Sequence, residues 1–451
     1  MIQLTLVTTL FGAASAAAAV DAGLLGEADT RILVVANNAP IPEVSLPLTH
    51  SPGASAVLSR FDRVVDLGAL LSPQRPARWV VQDIDVPMQE KLLRAAWDLG
   101  TAPVSLVLES VHVPPAATMA KIFLSAPITV LSEGLMSYGA TRDAQTHEFG
   151  QRLDGLVHLD LVEGLSPLLL SEHGVQPRPI APERFRAVIE QMCEAASMVP
   201  ATDDAVVLVL GQYLAALGLV SSEEETAMQA AMIDAARDLG GRTVLFKPHP
   251  SAPASDLDTL RTHAAARGLE FTVADAAVSA EALMCTHRLV GVVAGFSTAL
   301  STAERVFGLA TKAVGTEQVM KALTPYQNSN RIPLTIVDYR ERHPHADPSE
   351  LGRVCLAVAF TMQPRVLSAR RAEVVDILQS WDATERSRYI RHTRLNSLGL
   401  PGANVPTGAR RVAWQVLEAI PPSVSRPTYR ALARANARLQ RWKAGRERPS
   451  R

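Results

Sequence analysis

A chain of 451 residues with 44 Lys and Arg against 45 Asp and Glu carries a formal net charge of -1, and 47% of it is hydrophobic. That length exceeds what one core ordinarily organises, so two domains are expected, and the apolar, near-neutral composition excludes a wholly disordered chain. The 3 cysteines, Cys193, Cys285 and Cys355, lack close spacing, which excludes a disulfide scaffold and implies reduced thiols in the cytoplasm. The balanced charge also argues against nucleic acid as a partner.

In chain order, Met1–Val20 is apolar and ends in an alanine run, as a secretion signal does, but no Lys or Arg precedes the apolar part. It reads better as a strand over Ile2–Val7, a turn at Thr8–Gly12 and an Ala-rich helix to Ala22, with a second strand over Arg31–Ala36. Further aliphatic strands are predicted over Val104–Leu108, Ile128–Leu131, Val206–Leu210, Thr243–Phe246 and Leu289–Val293. Helical patterns such as Met88–Trp97 and Glu223–Leu239 fall between them. Continuous Val and Leu runs belong to strands covered on both faces, hence to parallel sheets of an α/β protein. The Pro-rich stretch Gln176–Pro182 and the loop Pro200–Asp204 punctuate the pattern. We therefore expect a Rossmann-like domain over 1–190, a second over 200–340, a helical extension over 341–410 and a basic helical tail over 411–451. No apolar run reaches the roughly 18 to 20 residues that span a bilayer.

Two such domains bind a ligand in the crevice at the carboxyl ends of their strands, so polar residues just after strands are the candidates. Glu133 emerges at a strand end, where a carboxylate can accept a proton from a hydroxyl, or serve as an ordinary turn residue. Gly134 beside it permits positive φ or a close approach. In Lys247-Pro248-His249-Pro250 the two prolines stiffen the segment that presents the imidazole, which can neutralise a phosphate leaving group. The chain has only 6 Lys, so a Lys beside this His is notable. Gly295, Ser297 and Thr298 lead a strand into a helix N-terminus, which favours an anion, although Ser and Thr also cap helices there. Together the three loops suit group transfer from a nucleotide donor.

Ser132-Glu133-Gly134 resembles the acidic-acidic-Gly motif of bacterial sialyl- and polysialyltransferases, with Ser in place of the first acid. Lys247-Pro248-His249-Pro250 is similar to their His-Pro motif, and Ser297-Thr298 to their Ser/Thr pair. The order matches as well, with 116 residues from Glu133 to His249 and 48 more to Ser297. The resemblance covers roughly residues 1 to 340 and implies a GT-B fold, an inverting mechanism and CMP-sialic acid as donor. It implies Glu133 as the base, His249 as the group that stabilises departing CMP, and Lys247, Pro248, Pro250, Gly295, Ser297 and Thr298 on the donor side. Glu281, 16 residues before Ser297, would hold the ribose. No cofactor is implied, nor a metal for the chemistry; the partners are a nucleotide-sugar donor and a glycan acceptor.

Gly134, Thr8, Thr9, Gly12 and Gln212 are second-tier candidates for the acceptor side, and Tyr326–Arg331 is a further polar loop. Asp83-Ile84-Asp85 and His343-Pro344-His345-Ala346-Asp347 imitate metal-ligand spacing, but the first precedes Pro87 and a helix, and no further ligands accompany the second. The tail over 421–451 holds nine basic residues and one acid, which leaves a net -9 for residues 1–420. Its Leu432, Ala435, Leu439 and Trp442 at helical spacing suit peripheral contact with the inner membrane face, and its weak apolar side suits a solvated tail. A polyol-phosphate transferase with a CDP-linked donor and a non-catalytic nucleotide-sugar-binding protein remain alternatives.

Overall fold

The computed structural model describes residues 1–38, 46–142, 146–199, 205–249 and 257–403. The first strand, β1 (Ile2–Val7), is buried from Gln3 to Val7 and stands in the middle of a sheet, flanked by strands on both sides. It is followed by β2 (Thr30–Val35), β3 (Arg63–Asp66), β4 (Val104–Leu108), β5 (Ile128–Ser132), β6 (Leu153–Leu159) and β7 (Pro177–Ile180). These seven pair in the order β3-β2-β1-β4-β5-β6-β7, every pair parallel. The alanine run lies in the helix Leu10–Asp21, which is buried all round from Gly12 through Ala19. Small side chains let that helix lie close on the sheet, so the segment serves the core of the domain.

The second sheet uses β8 (Val206–Leu210), β9 (Thr243–Lys247), β10 (Glu270–Val273), β11 (Leu289–Ala294) and β12 (Ala310–Ala313), paired all-parallel in the order β10-β9-β8-β11-β12. The chain thus folds as two Rossmann-like α/β domains, the GT-B type, and each sheet reverses its winding at one pair of strands. That switch falls between β1 and β4 in the first sheet and between β8 and β11 in the second. The helix Pro182–Ala195 leaves β7 and packs on the helices Leu10–Asp21 and Ala54–Leu58 of one domain, and on Ala280–Thr286 and Thr298–Phe307 of the other.

The central strands lie where their aliphatic runs put them, but five edge or outer strands, β3, β6, β7, β10 and β12, do not stand out in the sequence. The Pro-rich punctuation contains one of them: Pro177–Ile180 is the edge strand β7, beside β6 alone. Proline removes an N–H that an edge strand does not need on its outer side, which is why this position tolerates it. Residues 1–377 make one compact unit that holds both sheets. The unit that begins at Leu378 continues, as far as it is described, through the helices Ala383–Tyr389 and His392–Leu398. No helix among the described residues is long and apolar enough to cross a membrane. The basic tail over 421–451 lies outside the described residues, as does Pro250.

Candidate active site

The candidate residues gather at the carboxyl ends of the strands next to the two switch points. Glu133 follows β5 directly, and Gly134 starts a short 3-10 turn, Leu135–Tyr138. Gly134 has φ -121°, so it needs no left-handed backbone. Its role is the absent side chain: a Cβ there would lie 3.6 Å from Thr298 Oγ1 of the other domain. The first domain's carboxylate loop and the second domain's Ser/Thr loop therefore meet. The same face is tied at Gly139, where a Cβ would come 2.9 Å from Ile332 Cγ1. Arg305 adds ion pairs to Asp160 at 2.8 Å and Glu163 at 3.2 Å.

In the second domain three loops stand side by side because β9, β8 and β11 are neighbours. Lys247 ends β9, and its backbone carbonyl accepts from Gly211 N at 2.9 Å. Its Nζ donates to Ala276 O at 3.4 Å, and burial lowers its pKa against the opposing pull of Glu281 and Asp275. Glu281, near the start of the helix Ala280–Thr286, is raised by burial, offset by its backbone and Ser279 hydrogen bonds and by the Lys247 charge. Pro248 and His249 follow, half-buried. The His249 ring lies on Tyr213, centroids 4.2 Å apart and planes 34° apart. Burial, then the neighbouring Lys247 charge, lowers the His249 pKa.

Ser297 is the N-cap of the helix Thr298–Phe307, with its Oγ accepting from Ala299 N at 3.1 Å. Ser297 thus does the capping, and Thr298 is the second hydroxyl, on the first turn facing Gly134. Gln212, grouped by sequence with the acceptor side, lies in the second domain after β8. Its Nε2 donates to Phe296 O at 2.5 Å, and a Cβ on Gly295 would fall 2.1 Å from its Oε1. Gly295 is therefore the space in which Gln212 crosses from β8 to the Ser/Thr loop. The Gln212 Oε1 is buried without a hydrogen-bond partner among the described residues.

Thr8, Thr9 and Gly12 stand at the other switch point, between β1 and β4, and all three serve a residue that the sequence did not single out. Glu109 follows β4, and its carboxylate accepts from Thr8 N at 3.0 Å and from Thr8 Oγ1 at 2.6 Å. Thr9 caps the helix Leu10–Asp21, its Oγ1 accepting from Gly12 N at 2.9 Å. A Cβ on Gly12 would lie 2.0 Å from Glu109 Oε1, so the carboxylate fills the space a side chain would take. Burial raises the Glu109 pKa, opposed by the Thr8 and Thr9 hydrogen bonds. Glu133 is pushed up to about 8, first by burial and then by the charge of Glu109. Glu109 directly follows the predicted strand Val104–Leu108 and so met the strand-end criterion, but no neighbouring motif set it apart as one did for Glu133. Tyr213 was hidden because a lone aromatic after a strand looks like core.

The metal look-alikes have other partners. Asp83 pairs with Lys121 at 2.6 Å, and Asp347 caps the helix Pro348–Met362 through Ser349 N at 2.8 Å. His343 packs on Tyr339 with ring centroids 4.5 Å apart. Arg331 of the polar loop is buried and donates to Tyr326 O at 2.8 Å and Leu323 O at 3.1 Å, so it holds that loop together.

A sequence profile of the alpha-2,8-polysialyltransferases matches residues 3–316, which spans both sheets and the loops that carry Glu109, Glu133, Lys247, His249, Ser297 and Thr298. The chain belongs to the alpha-2,8-polysialyltransferase family. It is accordingly a glycosyltransferase. A comparison with curated proteins found no significant match. Among solved structures, the GT-B domain of a sialyltransferase from Photobacterium damselae is similar at 11% identity and TM-score 0.39, over 75% of this chain and 96% of that one. A glycosyltransferase from Rickettsia africae is similar at 10% identity and TM-score 0.36, over 84% and 99%. A UDP-GlcNAc 2-epimerase from Methanocaldococcus jannaschii is similar at 11% identity and TM-score 0.40, over 71% and 91%.

Proposed function

We propose that this enzyme is an inverting glycosyltransferase that moves sialic acid, or a related nonulosonic acid, from a CMP-activated donor to a glycan hydroxyl, with repeated transfer building a polymer. Family membership supports the sugar class, and one geometric observation carries the chemistry. Gly134, next to Glu133 in one domain, stands against Thr298 of the other, and the His249 loop lies two strands from the Ser297-Thr298 loop. A base and a phosphate cradle on opposite walls of one crevice are what a single displacement needs.

In the proposed reaction Glu133 takes the proton of the acceptor hydroxyl as its oxygen attacks the anomeric carbon, and the bond to the CMP phosphate breaks on the other side. Negative charge develops on the departing phosphate. Ser297, Thr298, the free N–H groups of the helix that they begin, and His249 are the donors available to it. The lowered pKa leaves His249 neutral in the empty site, and an arriving phosphate favours its protonation. Lys247, held by Ala276 and balanced by Glu281, supplies positive charge on the nucleotide side, and Glu281 takes the ribose hydroxyls in this reading. No metal is needed for this chemistry, because CMP leaves with one phosphate that hydrogen bonds and a cation can neutralise.

Incubation of the protein with CMP-sialic acid, CDP-glycerol and UDP-sugars, with nucleotide release followed by chromatography, tests the reading. Release from CMP-sialic acid alone supports it. Release from CDP-glycerol instead identifies a polyol-phosphate transferase, and donor binding without any release identifies a non-catalytic binding protein.

A further inference from the structure

Glu109 is a buried titratable group to which the reaction above gives no task, yet a site has been built around it. In register, Leu108 of β4 lies beside Val130 of β5 and Leu6 of β1. Extending those strands puts Glu109 level with Leu131 and on the same sheet face as Glu133 two residues on, because side chains alternate along a strand. On its other side β1 delivers Thr8, whose N–H and hydroxyl hold both carboxylate oxygens, at the N-terminus of the helix Leu10–Asp21. That helix end favours a negative charge, and Gly12 leaves room for it. The carboxylate is thus fixed in place at the end of β4, one strand from the loop that carries Glu133.

We propose that Glu109 is a positioning residue of the reaction: a carboxylate fixed by Thr8, Thr9 and Gly12 that keeps its charge and makes Glu133 the partner that holds the shared proton. This rests on the assignment of Glu133 as the base. Two like charges on neighbouring strands cannot both be comfortable in a crevice, so one proton resides with the pair, and the cradle decides where. Glu109 has three donors, and Glu133 has its own backbone N–H, so the proton goes to Glu133. Among the described residues the charged group that acts on Glu133 is Glu109, while His158 of β6 lies beside Ser132 and hence on the opposite face of the sheet. From the second domain the Thr298 hydroxyl, at the start of its helix, faces Gly134 beside Glu133. A base that binds its proton firmly takes it from a sugar hydroxyl more readily, and the crevice then works best above neutral pH.

The test titrates the pair itself. Isotope-edited infrared spectroscopy of the ligand-free protein, with labelled Glu, follows the protonated carboxyl band with pH, and CMP release from CMP-sialic acid follows the rate. Glu109→Gln removes the charge but keeps the cradle, since the amide oxygen accepts from Thr8 N and the amide N–H donates to Thr8 Oγ1. The band midpoint and the acid limb of the rate should both move down by about one pH unit or more, and Glu133 should remain above an exposed Glu because burial stays. Thr8→Val, which raises Glu109's own affinity for a proton, should instead move the band midpoint up, because a pair holds its shared proton more tightly when either member binds it better, and Thr8→Ser should restore it. A midpoint unmoved in both Glu109→Gln and Thr8→Val overturns the inference, whatever the enzyme does with CMP-sialic acid. A midpoint that moves in a protein that releases no CMP overturns the reaction instead and leaves the pair standing.

Discussion

Gly12→Ala is the substitution whose outcome the site geometry dictates against the ordinary rule. Gly12 lies in the first turn of the helix Leu10–Asp21, and Ala inside a helix normally gains roughly 0.5–1 kcal/mol over Gly. Here the new Cβ would stand 2.0 Å from Glu109 Oε1 and 3.1 Å from Thr9 Oγ1. The carboxylate is the end of a flexible side chain and can swing away, but only by releasing Thr8 N and Thr8 Oγ1. Hydrogen bonds to a charged group contribute about 1.5–3 kcal/mol each, and access to water returns part of that, so about 2–3 kcal/mol is lost. After the helix gain the net destabilisation is about 2 kcal/mol. Urea unfolding of Gly12→Ala, Glu109→Ala and the double variant reads this directly as a cycle. In the Glu109→Ala background the sign should reverse, with Gly12→Ala stabilising by roughly 0.5–1 kcal/mol. A Gly12→Ala that is stabilising in the wild-type background would show that Glu109 does not occupy this cradle.

Three further outcomes follow from the same geometry. His249 starts below its ordinary value and gains a proton when a phosphate arrives, so CMP affinity by calorimetry should rise as pH falls from 8 toward 6, and His249→Asn should flatten that slope. Gly134→Val points a branched side chain at Thr298, so turnover should fall at least tenfold while urea stability changes by less than about 1 kcal/mol. Gln212→Ala removes the donor to Phe296 O and should weaken CMP binding about tenfold, with Gly295→Ala giving the same loss because Gln212 must move aside.

What the sequence revealed and what it hid divide along physical lines. Strands covered on both faces, such as Val104–Leu108 and Val206–Leu210, are unbroken aliphatic runs, so their places and the loops behind them were legible. Edge strands such as Ala310–Ala313 are exposed in part and carry mixed residues, so nothing in their pattern marks them. Ser297 and Thr298 were readable at a helix start because capping chemistry is local. Glu109 was not, because its meaning depends on Thr8 and Gly12 about a hundred residues earlier, and on which strands the sheet makes neighbours. Gln212 was grouped with the acceptor side, and only the pairing of β8 with β11 shows that it supports the Ser/Thr loop.

The most direct measurement of the central claim is single-turnover CMP release from CMP-sialic acid in the presence of a sialylated acceptor, compared between the wild type and Glu133→Gln across pH 6 to 9. The account predicts a wild-type rate that rises with pH through about 8, where Glu133 loses its proton, and a Glu133→Gln enzyme that still binds CMP but is slower by roughly 10²-fold or more with no such rise. A Glu133→Gln enzyme with the wild-type rate and pH profile would contradict it.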